Sequence, residues 1–364
     1  MKRILHFVPG FYMGGIESFL MGMLRSLQGE KIKFDFIVDT KESLPEFDEI
    51  RSYGGRVFQM GRYLNAPLKY NNALTQIFNN HADEYLAVHC HSVIRAFPVL
   101  WAARKYGVKK RILHSHTDSL KGSMQAYLMP FISLLTNPLA SEFWACSKAA
   151  GKFFFGNRKF ELVNNAINTK SFAFDPTDRN RVRGELNISP SSLVIGHTGR
   201  FTYQKNHEFM INVFFEFHQR INDSYFLLVG AGPLESRMRS LCQELGIEDC
   251  VKFVGSHYKV YPFLSAMDVF FLPSHFEGFC ISLLEAQANG LPCVVSSVIP
   301  DEVRLTPCIT IVDLEKGVPT WCSVLLSTSS DGRFSSDKCM EVIRSSGFDA
   351  AEQAFNVLKK YSSL

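Results

Sequence analysis

The chain has 364 residues, which is enough for two hydrophobic cores rather than one. Hydrophobic residues make up 46% and charged residues 20%, and the net charge of +4 lacks the dense basic surface of a nucleic-acid-binding protein. The nine cysteines show no CxxC spacing, which argues against a disulfide framework or a zinc cluster and favours a reducing cytoplasm.

Strand-like apolar runs alternate with helical patterns from the first residues onward. In the first half, the predicted strands cover residues 4–8, 34–38, 56–59, 86–90, 111–114 and 142–146, and the helical patterns include 16–27 and 93–105. The alternation restarts in the second half, with strands at 193–198, 225–229, 251–254, 269–272 and 293–296 and helices at 206–220 and 234–245. This order predicts an α/β protein with two Rossmann-like, doubly wound parallel sheets facing each other across a cleft.

Three segments are expected along the chain. Residues 1–168 form the first Rossmann-like domain, residues 169–345 form the second, and residues 346–364 contain a final helix. No leader segment or spanning helix is predicted, since the longest apolar stretch, 126–140, is shorter than the roughly 20 residues that a bilayer requires. The expected location is therefore the cytoplasm.

In the first domain, Gly14 and Gly15 follow the first strand and open a helix. Their main-chain N–H groups could hold a phosphate or an acceptor, although a flexible turn that enters a helix is an equally good interpretation. His114 and His116 end a later strand and point the same way. They could form a metal pair, but no third ligand is evident, so a polar lining of the acceptor side or a satisfied strand-end histidine is favoured.

In the second domain, the segment from Gly199 to Lys205 follows a strand and precedes a helix. The glycine frees the turn, and Arg200 and Lys205 supply two cations that could neutralise a departing diphosphate. Two exposed basic residues in an ordinary loop are the alternative.

The strongest motif follows the strand at 269–272. Glu277 and Gly278 lie in a turn before a helix, and the N–H groups of Phe279, Cys280 and Ile281 are expected to point at an anion. The alternative is a capping box formed by Ser274 and Glu277.

Glu285 lies eight residues beyond Glu277 on the predicted helix, a rise of about 12 Å if the segment is helical. This separation is too long for the acid and nucleophile of one glycosidase site, in which the carboxyls are ~5–9.5 Å apart. It suits the two ends of an elongated nucleotide sugar. A solvated surface glutamate is the alternative interpretation of Glu285.

These residues resemble glycosyltransferase family 4, a family with the GT-B fold. The Glu-x7-Glu pattern of this family matches Glu277 and Glu285. Its Gly-Arg-x4-Lys pattern matches Gly199, Arg200 and Lys205, and its early Gly-Gly loop matches Gly14 and Gly15. Its Asn-Gly-Ile-Asp segment at the domain join appears here as residues 165–168, with Ala166 and Asn168 as departures. Residues 114–116, 285–292 and 347–349 with Trp321 are similar to bacterial capsule and exopolysaccharide transferases.

The resemblance implies a retaining, metal-independent transfer with no cofactor, from a nucleotide sugar that is expected to be UDP-linked, to a glycan or lipid-linked glycan. It implies that Glu277 contacts the donor sugar and phosphate and that Glu285 holds the ribose. It places His116 as a catalytic-site histidine, with His114 as second choice, and it places Gly255 and His257 against the uracil. The first domain would be the acceptor side and the second the donor domain, and the last helix, about 350–361, would cross back to the first domain.

Two alternative functions remain open at this point. One is a nucleotide-sugar epimerase with the same fold, and the other is a non-catalytic partner of another glycosyltransferase. Neither is favoured, because Arg200, Lys205 and Glu277 are all present.

The segment 148–160 mixes four cations with four phenylalanines. It predicts either peripheral contact with the inner face of the membrane or a core helix with a solvated basic face, and the second interpretation is slightly favoured.

Overall fold

The computed structural model describes residues 2–10, 15–116 and 124–362, and these divide into two compact units. Unit 1 comprises Met1–Ala166 together with Asp349–Leu364, and unit 2 comprises Ile167–Phe348. The chain leaves unit 1 and returns to it at neighbouring points, since the Ile167 N–H donates to the Phe348 carbonyl at 3.0 Å.

Unit 1 is a seven-stranded parallel sheet in the order β3-β2-β1-β4-β5-β6-β7. Its strands are β1 Lys2–Val8, β2 Ile32–Val38, β3 Val57–Gln59, β4 Tyr85–Cys90, β5 Lys110–Ser115, β6 Glu142–Ala145 and β7 Glu161–Leu162. Its helices are α1 Gly15–Ser26, α2 Pro45–Ser52, α3 Pro67–His81, α4 Phe97–Lys105, α5 Met124–Thr136, α6 Lys148–Phe155 and, from the far end of the sequence, α14 Ala350–Ser362.

Unit 2 is a six-stranded parallel sheet in the order β10-β9-β8-β11-β12-β13. Its strands are β8 Leu193–Thr198, β9 Ser224–Val229, β10 Val251–Gly255, β11 Val269–Leu272, β12 Cys293–Ser296 and β13 Ile309–Val312. Its helices are α7 Pro176–Glu185, α8 His207–Arg220, α9 Glu235–Glu244, α10 Tyr261–Ala266, α11 Ile281–Ala288, α12 Gly317–Ser329 and α13 Ser336–Ser345.

The central strands are buried on both faces, as expected for parallel sheets covered by helices. All four residues of β11 are fully buried, and all but the first residue of β1 are buried. This explains why the strands read as continuous apolar runs, and the prediction of two doubly wound parallel α/β sheets is confirmed.

The structure departs from the predicted elements at the edges. Two edge strands, β7 and β13, were not predicted. Strand β7 has only two residues, both exposed, whereas β13 has the run Ile-Thr-Ile-Val, a strand signal that the sequence analysis did not use. Helix α4 begins at Phe97 rather than at residue 93, and Pro98 lies in its first turn, where proline is favoured.

Helix α14 packs on α1 and β4 within unit 1, where Ala354, Val357 and Tyr361 join the core around β1 and β2. Burial of these side chains fixes the helix to unit 1. Across the described ranges, the model contains no helix that combines the length and apolar character needed to span a bilayer.

Candidate functional site

The candidate residues lie near the topological switch point of each sheet, where the strand order reverses. In unit 2 this point lies between β8 and β11, and in unit 1 it lies between β1 and β4. The connections that leave two such neighbouring strands run to opposite sides of the sheet, and ligands of doubly wound folds bind in the crevice left at their carboxyl ends. The loops after β8 and β11 therefore define the candidate site of unit 2.

A buried ion pair joins these two loops. The Lys205 ammonium lies 2.7 Å from Glu277 Oε1, and the two side chains are 14% and 4% exposed. Gln204 Nε2 donates to the second carboxylate oxygen at 3.2 Å. The pair fixes a cation and an anion at the centre of the sheet edge, where the sequence placed both residues without indicating that they touch.

Ser274 does not cap a helix. Its hydroxyl donates to Glu277 Oε1 at 2.5 Å, and helix α11 begins only at Ile281, so residues 274–280 form a turn outside the helix. The capping-box interpretation is therefore wrong. Ser274 and Gln204 are site residues that the sequence analysis missed, although the Ser-x-x-Glu spacing contained the signal for Ser274.

The turn before α11 offers main-chain donors. Within the described ranges, the N–H groups of Gly278, Phe279 and Cys280 have no hydrogen-bond acceptor in the protein. The N–H of Ile281 differs from the expectation, because it donates to the Phe279 carbonyl at 3.0 Å. Three consecutive donors ahead of the positive end of a helix suit an anionic oxygen.

Glu285 lies on α11 close to Lys205 and is only partly accessible to solvent. Burial raises the pKa of its carboxyl to about 8, although the nearby Lys205 lowers it. Burial alone would lower the pKa of Lys205, but Cys280, Glu277 and Glu285 outweigh that effect and the pKa is raised. The site thus combines a lysine whose charged form is favoured by its neighbours with a glutamate whose charged form is disfavoured by burial.

Arg200 contrasts with Lys205. Its side chain is exposed at the end of β8, and no ion pair or side-chain hydrogen bond to it occurs within the described part of the chain. Gly199 precedes it because a side chain there would meet the buried ring of His197, with an ideal Cβ 2.6 Å from Nε2. Arg200 is therefore a cation available to a ligand.

The loops after β9 and β10 pack beside the β8 loop. An ideal Cβ on Gly230 would lie 2.0 Å from the Gly199 carbonyl oxygen, so this glycine is needed for close loop packing. Gly255, with φ of +77°, accepts a hydrogen bond from the Gly230 N–H at 2.8 Å. His257 is exposed, and its Nε2 donates to the Val254 carbonyl at 2.8 Å. The structure places Gly255 and His257 on the same strand-end edge as Lys205.

In unit 1 the two predicted histidines belong to a larger cluster. The rings of His114 and His116 lie side by side with centroids 3.9 Å apart. Strand β1 adds His6, β4 adds His89, and His91 directly follows β4. Burial lowers the pKa of all these imidazoles, that of His116 to about 4. The sequence analysis missed His91, whose Nδ1 lies 2.9 Å from His116 Nε2.

The Gly-Gly loop can be located only in part. Gly14 lies outside the described residues, and Gly15 is the first residue of α1. This helix follows β1 and so starts at the edge where the histidines collect.

Comparison with known proteins shows which enzymes this chain is similar to. Residues 178–302 match the family model described as glycosyl transferases group 1. The Bacillus subtilis protein EpsF, which is named as a glycosyltransferase, is 29% identical to this chain. The alignment covers 99% of this chain and 96% of EpsF. The UDP-Gal:alpha-D-GlcNAc-diphosphoundecaprenol alpha-1,3-galactosyltransferase of Escherichia coli is 29% identical over 38% of this chain and 37% of its own length.

Solved structures agree on the fold. Anabaena Alr3699/HepE in complex with UDP and glucose superposes with a TM-score of 0.79 and 17% identity, and the match covers 100% of each chain. The sucrose-phosphate synthase of Thermosynechococcus elongatus gives a TM-score of 0.76 at 18% identity, covering 100% of this chain and 98% of the other. The fold is GT-B, and the comparisons together support an enzyme of the glycosyltransferase class.

The raised pKa of Glu285 predicts a pH-dependent stability. A carboxyl whose pKa rises on folding stabilises the folded state fully below its unfolded pKa of about 4.5, and that contribution is lost as pH rises towards 8. Glu285→Gln should therefore flatten the fall in unfolding free energy between pH 5 and pH 9, as measured by urea denaturation. Glu244→Gln, at the end of α9, serves as the control and should keep the wild-type slope; an unchanged slope in Glu285→Gln would contradict the assignment.

Proposed function

We propose that this protein is a retaining, metal-independent glycosyltransferase that moves a hexose or N-acetylhexosamine from a nucleotide sugar to a hydroxyl of a growing, lipid-linked polysaccharide unit. The donor is a UDP-sugar. Unit 2 binds the donor, and unit 1 provides the acceptor side.

The observation that carries the proposal is the charge arrangement after β8 and β11. Lys205 pairs with Glu277, Arg200 is exposed in the same loop after β8, and three main-chain N–H groups lie ahead of α11. A departing nucleoside diphosphate gains negative charge in the transition state, and preorganised cations and donors stabilise that charge without reorganisation. Such an arrangement has no evident use in a purely structural turn.

The donor and acceptor classes are supported by what related proteins are named for. The solved Anabaena structures contain UDP, UDP with glucose, and UDP-glucose. The Escherichia coli relative is named for transfer from UDP-Gal to a diphosphoundecaprenol-linked sugar. Glu285 supports the same proposal, because a partly buried carboxyl on α11 could accept hydrogen bonds from ribose hydroxyls while Glu277 serves the sugar end.

For this retaining transfer we propose a same-face substitution rather than a double displacement, because neither glutamate suits the role of nucleophile. Glu277 is held by Lys205, Ser274 and Gln204, and burial raises the pKa of Glu285 to about 8. A free, ionised carboxylate is what a covalent glycosyl-enzyme route requires. In the proposed reaction the bond from the anomeric carbon to the diphosphate oxygen breaks, the acceptor oxygen bonds to the same face, and its proton passes to the departing phosphate. Lys205 and Arg200 hold that phosphate in place.

Glu277→Gln should abolish transfer in a protein that still folds but melts at a lower temperature, because the change keeps the volume and an amide oxygen that can accept from Lys205 but removes the charge that balances this buried lysine. Product formation from a panel of nucleotide sugars is the measurement, together with a thermal melt to establish folding. Glu208→Gln, in a surface pair with Arg237 on the same unit, is the matched control and should retain full activity. Normal turnover by folded Glu277→Gln protein would contradict the site.

Arg200→Ala should lower kcat by roughly 10²–10³, the range typical of losing one transition-state donor, with an unchanged melting temperature because the side chain is exposed. Arg237→Ala, also exposed, should leave kcat unchanged. Wild-type activity should survive excess EDTA, and NMR of the first product should show the donor's anomeric configuration. A strict Mg²⁺ or Mn²⁺ requirement would transfer the role of Arg200 to a metal, and an inverted anomer would contradict the same-face mechanism.

The lipid-linked acceptor calls for contact with a membrane surface, which we place on α5 and α6 of unit 1. These helices pack against each other. Helix α5 exposes Leu128, Phe131 and Leu134, with the last two 63% and 70% accessible. On and after α6 the basic residues are exposed, whereas Phe154 and Phe155 are buried in the core and Phe153 is exposed.

The structure thus changes the basis of the membrane proposal. Two of the phenylalanines in 148–160 serve the core, so the apolar part of the surface comes mainly from α5, which the sequence analysis did not use. Apolar side chains beside cations suit an anionic leaflet, to which each surface cation contributes about 1 kcal/mol.

Co-sedimentation with vesicles tests this surface. Wild-type protein should bind vesicles rich in phosphatidylglycerol at low salt and bind neutral vesicles weakly. Lys152→Glu with Lys159→Glu, or Phe131→Ser with Leu134→Ser, should release it. Lys31→Glu with Lys338→Glu makes the same change in net charge at exposed positions elsewhere and should bind as wild type does. Equal binding by all these proteins would exclude the α5–α6 surface.

A further inference from the structure

Three histidines of unit 1 form a continuous hydrogen-bonded chain that ends at Asn165. His6 Nδ1 lies 3.0 Å from His91 Nε2, and His91 Nδ1 lies 2.9 Å from His116 Nε2. His116 Nδ1 then lies 3.2 Å from Asn165 Oδ1. Both ring nitrogens of His91 and both ring nitrogens of His116 are therefore engaged within the protein.

The amide oxygen of Asn165 sets the direction of this chain. An oxygen can only accept, so His116 must carry its proton on Nδ1 and leave Nε2 as an acceptor. Nε2 then accepts from His91 Nδ1–H, and His91 Nε2 accepts from His6 Nδ1–H. Each imidazole is neutral with one proton, and one choice at Asn165 determines all three tautomers.

The surroundings favour neutral rings. His6, His91 and His116 face further imidazoles, those of His89 and His114, and they pack against Phe19, Phe34 and Phe36. His89 and His114 form a second pair, 3.1 Å apart, that is held by the Tyr361 hydroxyl at 2.6 Å. Within the described residues, the rings that contact this chain are imidazoles, phenylalanines and, through His89, one phenol, so protonation of any imidazole would place a charge among neutral rings in the core.

The geometry favours a chain over a chelate. Two overlapping trios, His6–His89–His91 and His91–His114–His116, have ring nitrogens within 4.8 Å of one another. However, the two nitrogens of His91 face different partners in opposite directions, at 3.0 and 2.9 Å, as in a relay of hydrogen bonds. Ligands of one metal ion would instead converge on a common point.

We propose that Asn165 and His91 are positioning residues that hold His116 as a neutral imidazole with its proton on Nδ1. Asn165 is the last polar residue before the chain leaves unit 1 at Ala166. The side-chain amide of Asn165 thus determines the hydrogen-bonding state of the His116 ring, which follows the carboxyl end of β5.

A neutral His116 suits the proposed transfer, and this role rests on that function. Positive charge develops at the anomeric carbon in an oxocarbenium-like transition state. An imidazolium at the catalytic-site position that the family resemblance gives to His116 would oppose that charge, whereas a neutral ring there would not. The hydrogen bonds of His116 also leave neither nitrogen free as a general base, which agrees with a reaction that retains configuration without a protein base.

The tautomers can be measured without any activity assay. In protein labelled with ¹⁵N-histidine, with His116 assigned from its loss in His116→Gln, we expect a neutral Nδ1–H signal that does not titrate between pH 6 and pH 8. Asn165→Leu should give a mixed or Nε2–H tautomer at His116. Retention of the wild-type Nδ1–H signal in folded Asn165→Leu would overturn the role of Asn165.

Asn165→Asp should change the pH dependence of activity, which would stay unchanged if Asn165 served only to stabilise the fold. A carboxylate accepting from His116 raises the pKa of the ring, so activity should fall about tenfold or more at pH 6 and recover as pH rises above that pKa. Asn164→Asp, which places the same charge one residue earlier, should keep the wild-type pH profile. Equal profiles for both variants would contradict the proposal.

Two further results would overturn the positioning role of Asn165 and His91. One is a His116 signal that titrates between pH 6 and pH 8 in the wild type. The other is binding of one equivalent of Zn²⁺ that broadens the His91 and His116 signals, which would mean that the histidines form a metal site. The NMR result separates this inference from the proposed function. An inactive protein with the expected tautomers would reject the transferase, and an active protein with the wrong tautomers would reject only the positioning role.

Discussion

The ion pair between Lys205 and Glu277 is the constraint on which unit 2 depends. Each side chain is almost removed from water, and either charge alone would be costly to bury, so the two must meet. They lie 72 residues apart in sequence and meet because β8 and β11 are neighbours at the centre of the sheet. The strand order permits this contact, because it places the loops after β8 and β11 side by side. The Ser274 hydroxyl and the Gln204 amide also donate hydrogen bonds to the Glu277 carboxylate and fix its orientation.

The two units use the same position in their sheets with opposite electrostatics. Unit 2 gathers a lysine, an arginine and open N–H groups, which suit a phosphate-bearing donor. Unit 1 gathers imidazoles that burial keeps neutral, and these suit an uncharged sugar or hydroxyl. The same doubly wound architecture thus provides one edge that stabilises negative charge and one that avoids adding positive charge. This division is the electrostatic form of the proposed separation between donor and acceptor sides.

Much of the fold could be predicted because strands buried on both faces appear as unbroken apolar runs, as in β4 and β11. The edge strand β7 could not, since it has only two residues, both exposed, whereas β13 has an Ile-Thr-Ile-Val run that the sequence analysis did not use. The candidate residues Glu277, Lys205 and Arg200 follow from local motifs after strands. The contact between Lys205 and Glu277, and the role of Ser274, depend on which strands are adjacent. His89 lay within the predicted strand 86–90 and His91 just after it, and only the sheet order brings them to His114 and His116.

Helix α14 has a consequence for how the chain is made. Unit 2 is one continuous segment, whereas unit 1 is interrupted by it and needs Ala354, Val357 and Tyr361 to close its core. Domains generally fold as units during synthesis, with the earlier one first. Here unit 1 cannot finish folding first, although its sheet is synthesised first, because α14 is translated only after the whole of unit 2. Until then His89 lacks its hydrogen bond with the Tyr361 hydroxyl. The nascent protein therefore carries an incomplete first domain through most of its synthesis, and the apolar seat of α14 is a surface that must be kept from aggregation until that helix arrives.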